Sequence, residues 1–243
     1  MRNFGTLWRR ELAANVFSPV AYVVAALYLL VAGWTFMQAV QRNLGTQESP
    51  EVLLFSAVCF WLPLFVTTIT MRLFSEEKRS GTIEALMTAP VTDAEVVLAK
   101  FAGAGVFLLV AATPVLLPSY VIMRLGAGAA WIDLGGLIGG CLLLVLIASA
   151  CVAIGLFVSL LTRNQIVAAV CCFCAICSPF LLRPMLENLP VGSDRLLDLL
   201  AADTHIYDFS RGSIDSRPIV LYLSVTGFFL FASVKVLESR RWR

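Results

Sequence analysis

Six windows of this chain carry no Asp, Glu, Lys or Arg over a length suited to crossing a bilayer: residues 12–41, 52–71, 101–123, 134–162, 164–182 and 218–234. A membrane helix needs roughly 20 apolar residues, with a range of about 17–25. The first window predicts a span from about Pro19 to Val40, and the two longest leave room for tilt or an interfacial lead-in. The pattern therefore predicts an all-α, polytopic integral membrane protein of six transmembrane helices. An even count puts both termini on one side.

Composition agrees: of 243 residues, 59% are hydrophobic and 14% charged, against about 25% charged in a soluble domain. Lys and Arg divide twelve to six between the two sides that the spans define, and the richer side is cytoplasmic by the positive-inside rule. Arg2, Arg9, Arg10, Arg72, Lys78, Arg79, Lys100 and Arg163 lie on it, with the basic C-terminal residues. A net charge of +2 is too small to argue for a nucleic-acid partner. All seven cysteines fall in apolar windows, which speaks against a disulfide framework. The basic N-terminus before an apolar run mimics a signal peptide, but the run is too long for an h-region, and an uncleaved first span is expected.

Residues 1–17 predict an interfacial amphipathic helix. Phe4, Leu7, Trp8 and Leu12 share one face, and Arg2, Thr6, Arg9 and Arg10 share the other. Such a helix lies in the membrane interface with Trp8 at headgroup level. Glu11 falls on the apolar side, where a lone carboxylate is costly. Either it snorkels or pairs with an arginine, or it faces the protein interior and couples cytoplasmic events to the first span.

A charged interruption, residues 72–100, separates the second and third spans. Ile83, Leu86 and Met87 fall at helical spacing on one face, beside Glu76, Glu77 and Glu84. Gly81 breaks the extension of the second span, so residues 82–88 predict a separate short helix ended by Pro90. Thr92 and Glu95 fit a capping box, so one helix should run from about Asp93 into the third span, leaving Lys100 near the interface. An apolar triplet on a short helix outside the membrane needs a partner to bury it. On the opposite side, residues 183–217 form the largest segment. Arg195–Leu200 is amphipathic and too short to span, and reads as a re-entrant or surface helix bracketed by Pro184, Pro190 and Pro218. The lone His205 lies in the same segment.

Other constellations are weaker. Cys171 and Cys174 have CxxC spacing, but Cys177 follows at i+6 and no histidine or carboxylate is near, whereas zinc needs about four converging ligands. Packing is the ordinary role, a soft metal or redox centre the alternative. Gly135, Gly136, Gly139 and Gly140 form two overlapping GxxxG frames, which suit close helix approach within the chain or across a dimer. Pro63, Pro114, Pro118 and Pro179 imply kinks, or a moving hinge. No span carries a central charge, against an ion pump. With one histidine and no phosphate-binding loop, catalysis finds no residues, so no catalytic or metal site is assigned.

The stretch Glu76-Glu77-Lys78-Arg79-Ser80-Gly81-Thr82-Ile83-Glu84-Ala85-Leu86-Met87-Thr88-Ala89-Pro90-Val91-Thr92, with Leu98-Ala99-Lys100, resembles the signature of ABC-2 type transporter permeases. The resemblance extends over residues 1–243 as one permease domain with a type V exporter-like architecture. Residues 208–217 and 237–242 resemble the gliding-motility (GldF-like) permease subfamily. The resemblance implies that the acidic-Gly-Thr-x-Glu-x-Leu stretch is a coupling helix docking on a partner ATPase, with Glu76, Glu77, Gly81, Thr82, Ile83, Glu84, Leu86, Met87 and Pro90 at that contact. It implies two membrane halves, from a second copy or a paralogous permease, and two nucleotide-binding subunits in a bacterial inner membrane. ATP and Mg would be bound by the partner, with no cofactor in this chain, and the complex would export or translocate a substrate. Two other classes are a membrane enzyme, which the lack of a polar intramembrane constellation opposes, and an ATPase-coupled scaffold or mechanotransmitter that transports nothing. Ser80→Cys should react with a membrane-impermeant maleimide only from the cytoplasmic side; reaction only from outside would overturn the topology.

Overall fold

Proline sets the start of two spans. It is well suited to the first helical position, where a backbone N–H has no intrahelical partner. In a computed structural model, which describes residues 2–43, 48–81, 91–117, 133–186 and 201–240, α1 (Arg2–Val16) ends just before Ser18. Then α2 (Pro19–Arg42) begins on its proline, and α3 (Pro50–Thr70) begins likewise after Ser49. A turn at Met71–Phe74 separates α3 from α4 (Ser75–Ser80), which Gly81 closes in the left-handed conformation, φ 75°. That conformation suits glycine and ends helices.

The expected capping box is present. The Thr92 hydroxyl accepts from Glu95 N at 3.3 Å, and Glu95 Oε2 accepts from Thr92 N at 3.2 Å. It starts α5 (Asp93–Ala112), which tightens into a 3-10 turn at Thr113–Leu116, where Pro114 sits. The chain continues through α6 (Leu134–Leu161), α7 (Gln165–Leu186), α8 (Ala202–Ser210) and α9 (Ser216–Arg240). Five helical stretches among the described residues are long and apolar enough to cross a membrane: α2, α3 with α4, α5 with its 3-10 turn, α6 and α9. Within α7 the apolar stretch Gln165–Pro179 is shorter. Pro63 lies inside α3.

Helix α6 is the hub, packed by α3, α5, α7, α8 and α9, while α1 lies along α5 and α2 along α3. Leu143, Ile147, Leu156 and Leu160 of α6 are buried against Phe55, Leu62 and Phe65 of α3 and the residues around them. Tyr28 of α2 stacks on Phe65 with ring centroids 4.5 Å apart and donates to Val58 O. In contrast, α2 and α9 turn Leu30, Trp34, Phe228 and Phe231 outward, where acyl chains rather than water receive them.

The GxxxG frames are used within the chain. A Cβ on Gly136 would sit 2.3 Å from Ser210 O, one on Gly139 2.2 Å from Phe209 O, and one on Gly140 2.1 Å from the Phe55 ring. Helix α8 thus rests backbone-to-backbone on the start of α6. Gly155 makes the same room for Thr70 near the other end.

At the ends of the outer segment, Pro184 lies within α7 and Pro218 within the first turn of α9. A proline is tolerated there because first-turn N–H groups have no intrahelical acceptor. Arg195–Leu200 and Pro190 lie outside the described residues. Helix α8 carries His205, which is buried, its Nδ1 3.2 Å from the Tyr222 hydroxyl. Glu51, buried at the start of α3, accepts from Asp133 N at 2.7 Å, and Asp133 caps α6 through Gly135 N. In α7 the CxxC cysteines Cys171 and Cys174 are exposed, while Cys172 is buried beside the Thr67 and Thr70 hydroxyls.

Gly139→Val should lower stability by about 1–3 kcal/mol, because the carbonyl it meets belongs to the backbone and has no rotamer to escape into. Gly105→Ala, with nothing within 4 Å of the added Cβ, should be neutral or slightly stabilising. Thermal unfolding in detergent measures both, and equal melting of the Gly139 variant and the wild type would contradict the α6–α8 contact.

Candidate functional site

Lys100 stands two turns into α5, at a depth set by the cap at Thr92. It is the centre of the site. Its residue is only 2% exposed. Its ammonium lies 2.7 Å from Glu77 Oε1 of α4 and 3.1 Å from Glu11 Oε2 of α1. The Phe74 ring is 5.0 Å away on another side. Arg10 extends the network, reaching Glu11 at 3.4 Å and Glu77 at 3.5 Å. Two cations and two carboxylates from three separate chain segments thus compensate one another. That compensation permits the burial, since an isolated ion out of water would cost several kcal/mol.

Helix α1 reaches this position because Gly103 lets it. A Cβ at Gly103 would lie 3.0 Å from Glu11 Cβ and 3.3 Å from Leu12 N. Leu7 and Leu12 pack against the core while Arg9 and Arg10 stay exposed. The apolar face predicted to enter the interface is therefore largely the face docked on α5. Glu11 faces the protein interior on Lys100 and also pairs with Arg10, so each of the two placements left open for it is met in part. The main cation is a lysine from the third span, with an arginine second.

Helix α4 is held from another direction by α6. The Ser159 hydroxyl accepts from Phe74 N and Ser75 N, both at 3.1 Å, and donates to Met71 O at 3.3 Å. This one side chain satisfies backbone groups left over by the turn between α3 and α4, where helix ends have unpaired N–H and C=O groups. Lys78 Nζ donates to Leu160 O, one of the last carbonyls of α6.

Of the residues expected at a partner contact, Glu77 faces inward onto Lys100 and Gly81 caps α4. Glu76 and Arg72 line a cleft of about 290 Å³ between α1 and the α3–α4 turn. Trp8 is half-buried and Arg9 exposed. Thr82, Ile83, Glu84, Leu86, Met87 and Pro90 lie outside the described residues. The described structure thus brings together the two roots of that segment, α4 before it and α5 after it, through Glu77 and Lys100. Gly103, Ser159 and the inward turn of Lys78 were not foreseen from the sequence. Their partners are 82 to 92 positions away along the chain, and no local pattern signals them.

The spans define a multi-pass membrane protein, and the cluster is an ion-pair junction rather than a catalytic constellation. The family model described as "ABC-2 family transporter protein" matches residues 6–189, and the chain belongs to that family. It is thereby a membrane subunit of an ABC transporter, a transport component of a class that usually works with ABC ATPase subunits. No curated protein matches the chain.

Lys100→Met should destabilise the protein by about 3–5 kcal/mol, because the buried Glu11 and the part-buried Glu77 lose their shared cation. Adding Glu11→Gln and Glu77→Gln should recover much of that loss by removing the uncompensated charge. Thermal unfolding in detergent tests this. No recovery in the triple variant would mean that Lys100 matters for packing alone.

Proposed function

We propose that this chain is the permease subunit that couples ATP hydrolysis in a partner ATPase to export or translocation of a substrate. Residues 82–88 are the docking helix. Ile83, Leu86 and Met87 fill an apolar groove on the ATPase, and Glu84 pairs at its rim. The observation that carries this is the Lys100 junction: it joins both roots of the docking segment to α1, and Ser159 and Lys78 join one of them to α6. A push on a segment so rooted reaches two spans and the N-terminal helix at once.

Glu77 then serves inside the chain rather than at the ATPase rim, and Glu76 lies at its edge beside the α1 cleft. Six spans with both termini cytoplasmic in a bacterial inner membrane complete the reading, with a second copy or a paralogous permease as the other half. The residues that resemble the gliding-motility subfamily, 208–217, run from the end of α8 into α9. They belong to the opposite end of the bundle from the docking segment and bear on substrate or accessory partners rather than on coupling.

Leu86→Asp should abolish association with the ATPase. A helix of about seven residues is unstable alone, so its apolar face needs burial, and an unpaired carboxylate placed there costs as much as the loss of an interface hot spot. Glu84→Ala should be mild, since an exposed ion pair contributes about 0–1 kcal/mol. Pull-down of the ATPase by each variant, with gel filtration in detergent to establish folding, tests both. A folded Leu86→Asp variant that binds normally would remove this segment as the docking element.

A further inference from the structure

Beside the ion junction lies a cleft whose remaining charges are not compensated among the described residues. It is lined by Arg10, Glu11, Asn15, Ser18, Arg72 and Glu76, among others. Glu11 and Arg10 are committed to the junction. Arg72 and Glu76 have no ion pair and no side-chain hydrogen bond among the described residues. They stand one turn apart, with Glu76 N donating to Arg72 O at 3.4 Å, yet they do not pair with each other.

The cleft continues into a second, shallow groove of about 30 Å³. The two share Asn15, Ser18, Ile69 and Arg72, and the second runs on along Val20, Ala21 and Val24 of α2. Its direction is from the elbow between α1 and α2 onto the first apolar turns of a span. Phe17 at the elbow is 84% exposed. One half of the combined site is thus charged and the other apolar, and the boundary between them falls at the elbow between α1 and α2.

We propose that this site binds one zwitterionic phospholipid with a primary ammonium headgroup, of the phosphatidylethanolamine type. Its phosphate lies against Arg72, whose planar fork matches phosphate oxygens. Arg10, with five N–H donors and only part of them used by Glu11 and Glu77, reaches the same phosphate. The ammonium pairs with Glu76. One acyl chain lies along Val20, Ala21 and Val24 at the mouth of the groove. A free phosphate would satisfy Arg72 but leave Glu76 and the apolar groove unmatched, and an anionic lipid without an ammonium would place its charge beside Glu76. The lipid would sit one residue from Glu77, so its presence bears on the ion junction without belonging to it.

The test needs no ATPase, so it is independent of the docking segment. The purified full chain in mild detergent is incubated with phosphatidylethanolamine or phosphatidylglycerol of matched chains, and retained lipid is counted by native mass spectrometry. The wild type should hold one phosphatidylethanolamine per chain and at least several-fold less phosphatidylglycerol. Arg72→Gln should lower retention at least tenfold. Glu76→Gln should abolish or reverse the headgroup preference while the protein stays monodisperse, a readout that loss of folding cannot imitate. Val24→Trp should block both lipids, and Arg42→Gln, at the far end of α2, should change nothing. Equal retention of both lipids by the wild type, or a preference unmoved by Glu76→Gln, would overturn the proposal. Displacement by soluble glycerophosphoethanolamine as effective as by the lipid would overturn it too, by showing a headgroup site with no chain groove.

Discussion

A lysine withdrawn from solvent and shared by two carboxylates is the constraint around which the described end of this bundle is organised. Lys100 can be buried only if its charge is met on more than one side. Glu77 and Glu11 meet it, from two elements far apart in the chain. Burial of an ion pair is weak evidence for added stability, because desolvation offsets much of the attraction. Its contribution here is positional. The junction fixes how far α1 lies along α5, and how the short α4 stands against both. The close approach at Gly103 then follows, since α1 cannot present Glu11 to Lys100 without bringing its backbone onto α5.

The opposite end is held by different physics. There the contacts of α8 with α6 run through Gly136 and Gly139 to main-chain carbonyls. Glycine in a membrane helix lets backbones approach, so that dispersion contacts and weak polar contacts replace the hydrophobic driving force that lipid does not provide between helices. Glu51 and Asp133 add a polar link there, joining the start of α3 to the start of α6. Close glycine contacts occur at both ends, at Gly136 and Gly139 and again at Gly103 and Gly155, and the end that holds Lys100 adds long side chains exchanging charge.

The pattern of the sequence carried the helices well and their tertiary meeting poorly. The charge-free windows correspond to helices with starts at Pro19, Pro50, Leu134 and Gln165. Thr92, Glu95 and Gly81 declared their caps, because a cap depends on neighbours within four residues. Glu11 was legible as an anomaly, a carboxylate on an apolar face, but its partner was not, since an ion pair 89 positions apart leaves no periodic trace. Lys100 looked like an ordinary interfacial lysine for the same reason. The glycine frames announced a close contact without saying with what. The partner proved to be α8, in the segment that precedes Pro218. Proline marks where a helix can begin as readily as where one must end, and Pro218 takes the first role.

The contrast between the two ends bears on how force could pass through the chain. Helix α4 has six residues and would not persist alone. Its stiffness is borrowed from Lys100 on α5, and from Ser159 and the carbonyl of Leu160 on α6. A displacement of α4 therefore loads α5 and α6 together. Side-chain bonds of this kind tolerate shifts: a lysine or arginine with several donors keeps one carboxylate while releasing another, and Lys100 already holds two. The glycine contacts at the far end have no such slack. There a carbonyl lies against a Cα with no side chain between them, so α6 and α8 shift as one body. The end of the bundle that exchanges polar partners is accordingly the one able to yield, and the end built on glycine is the one about which it would pivot.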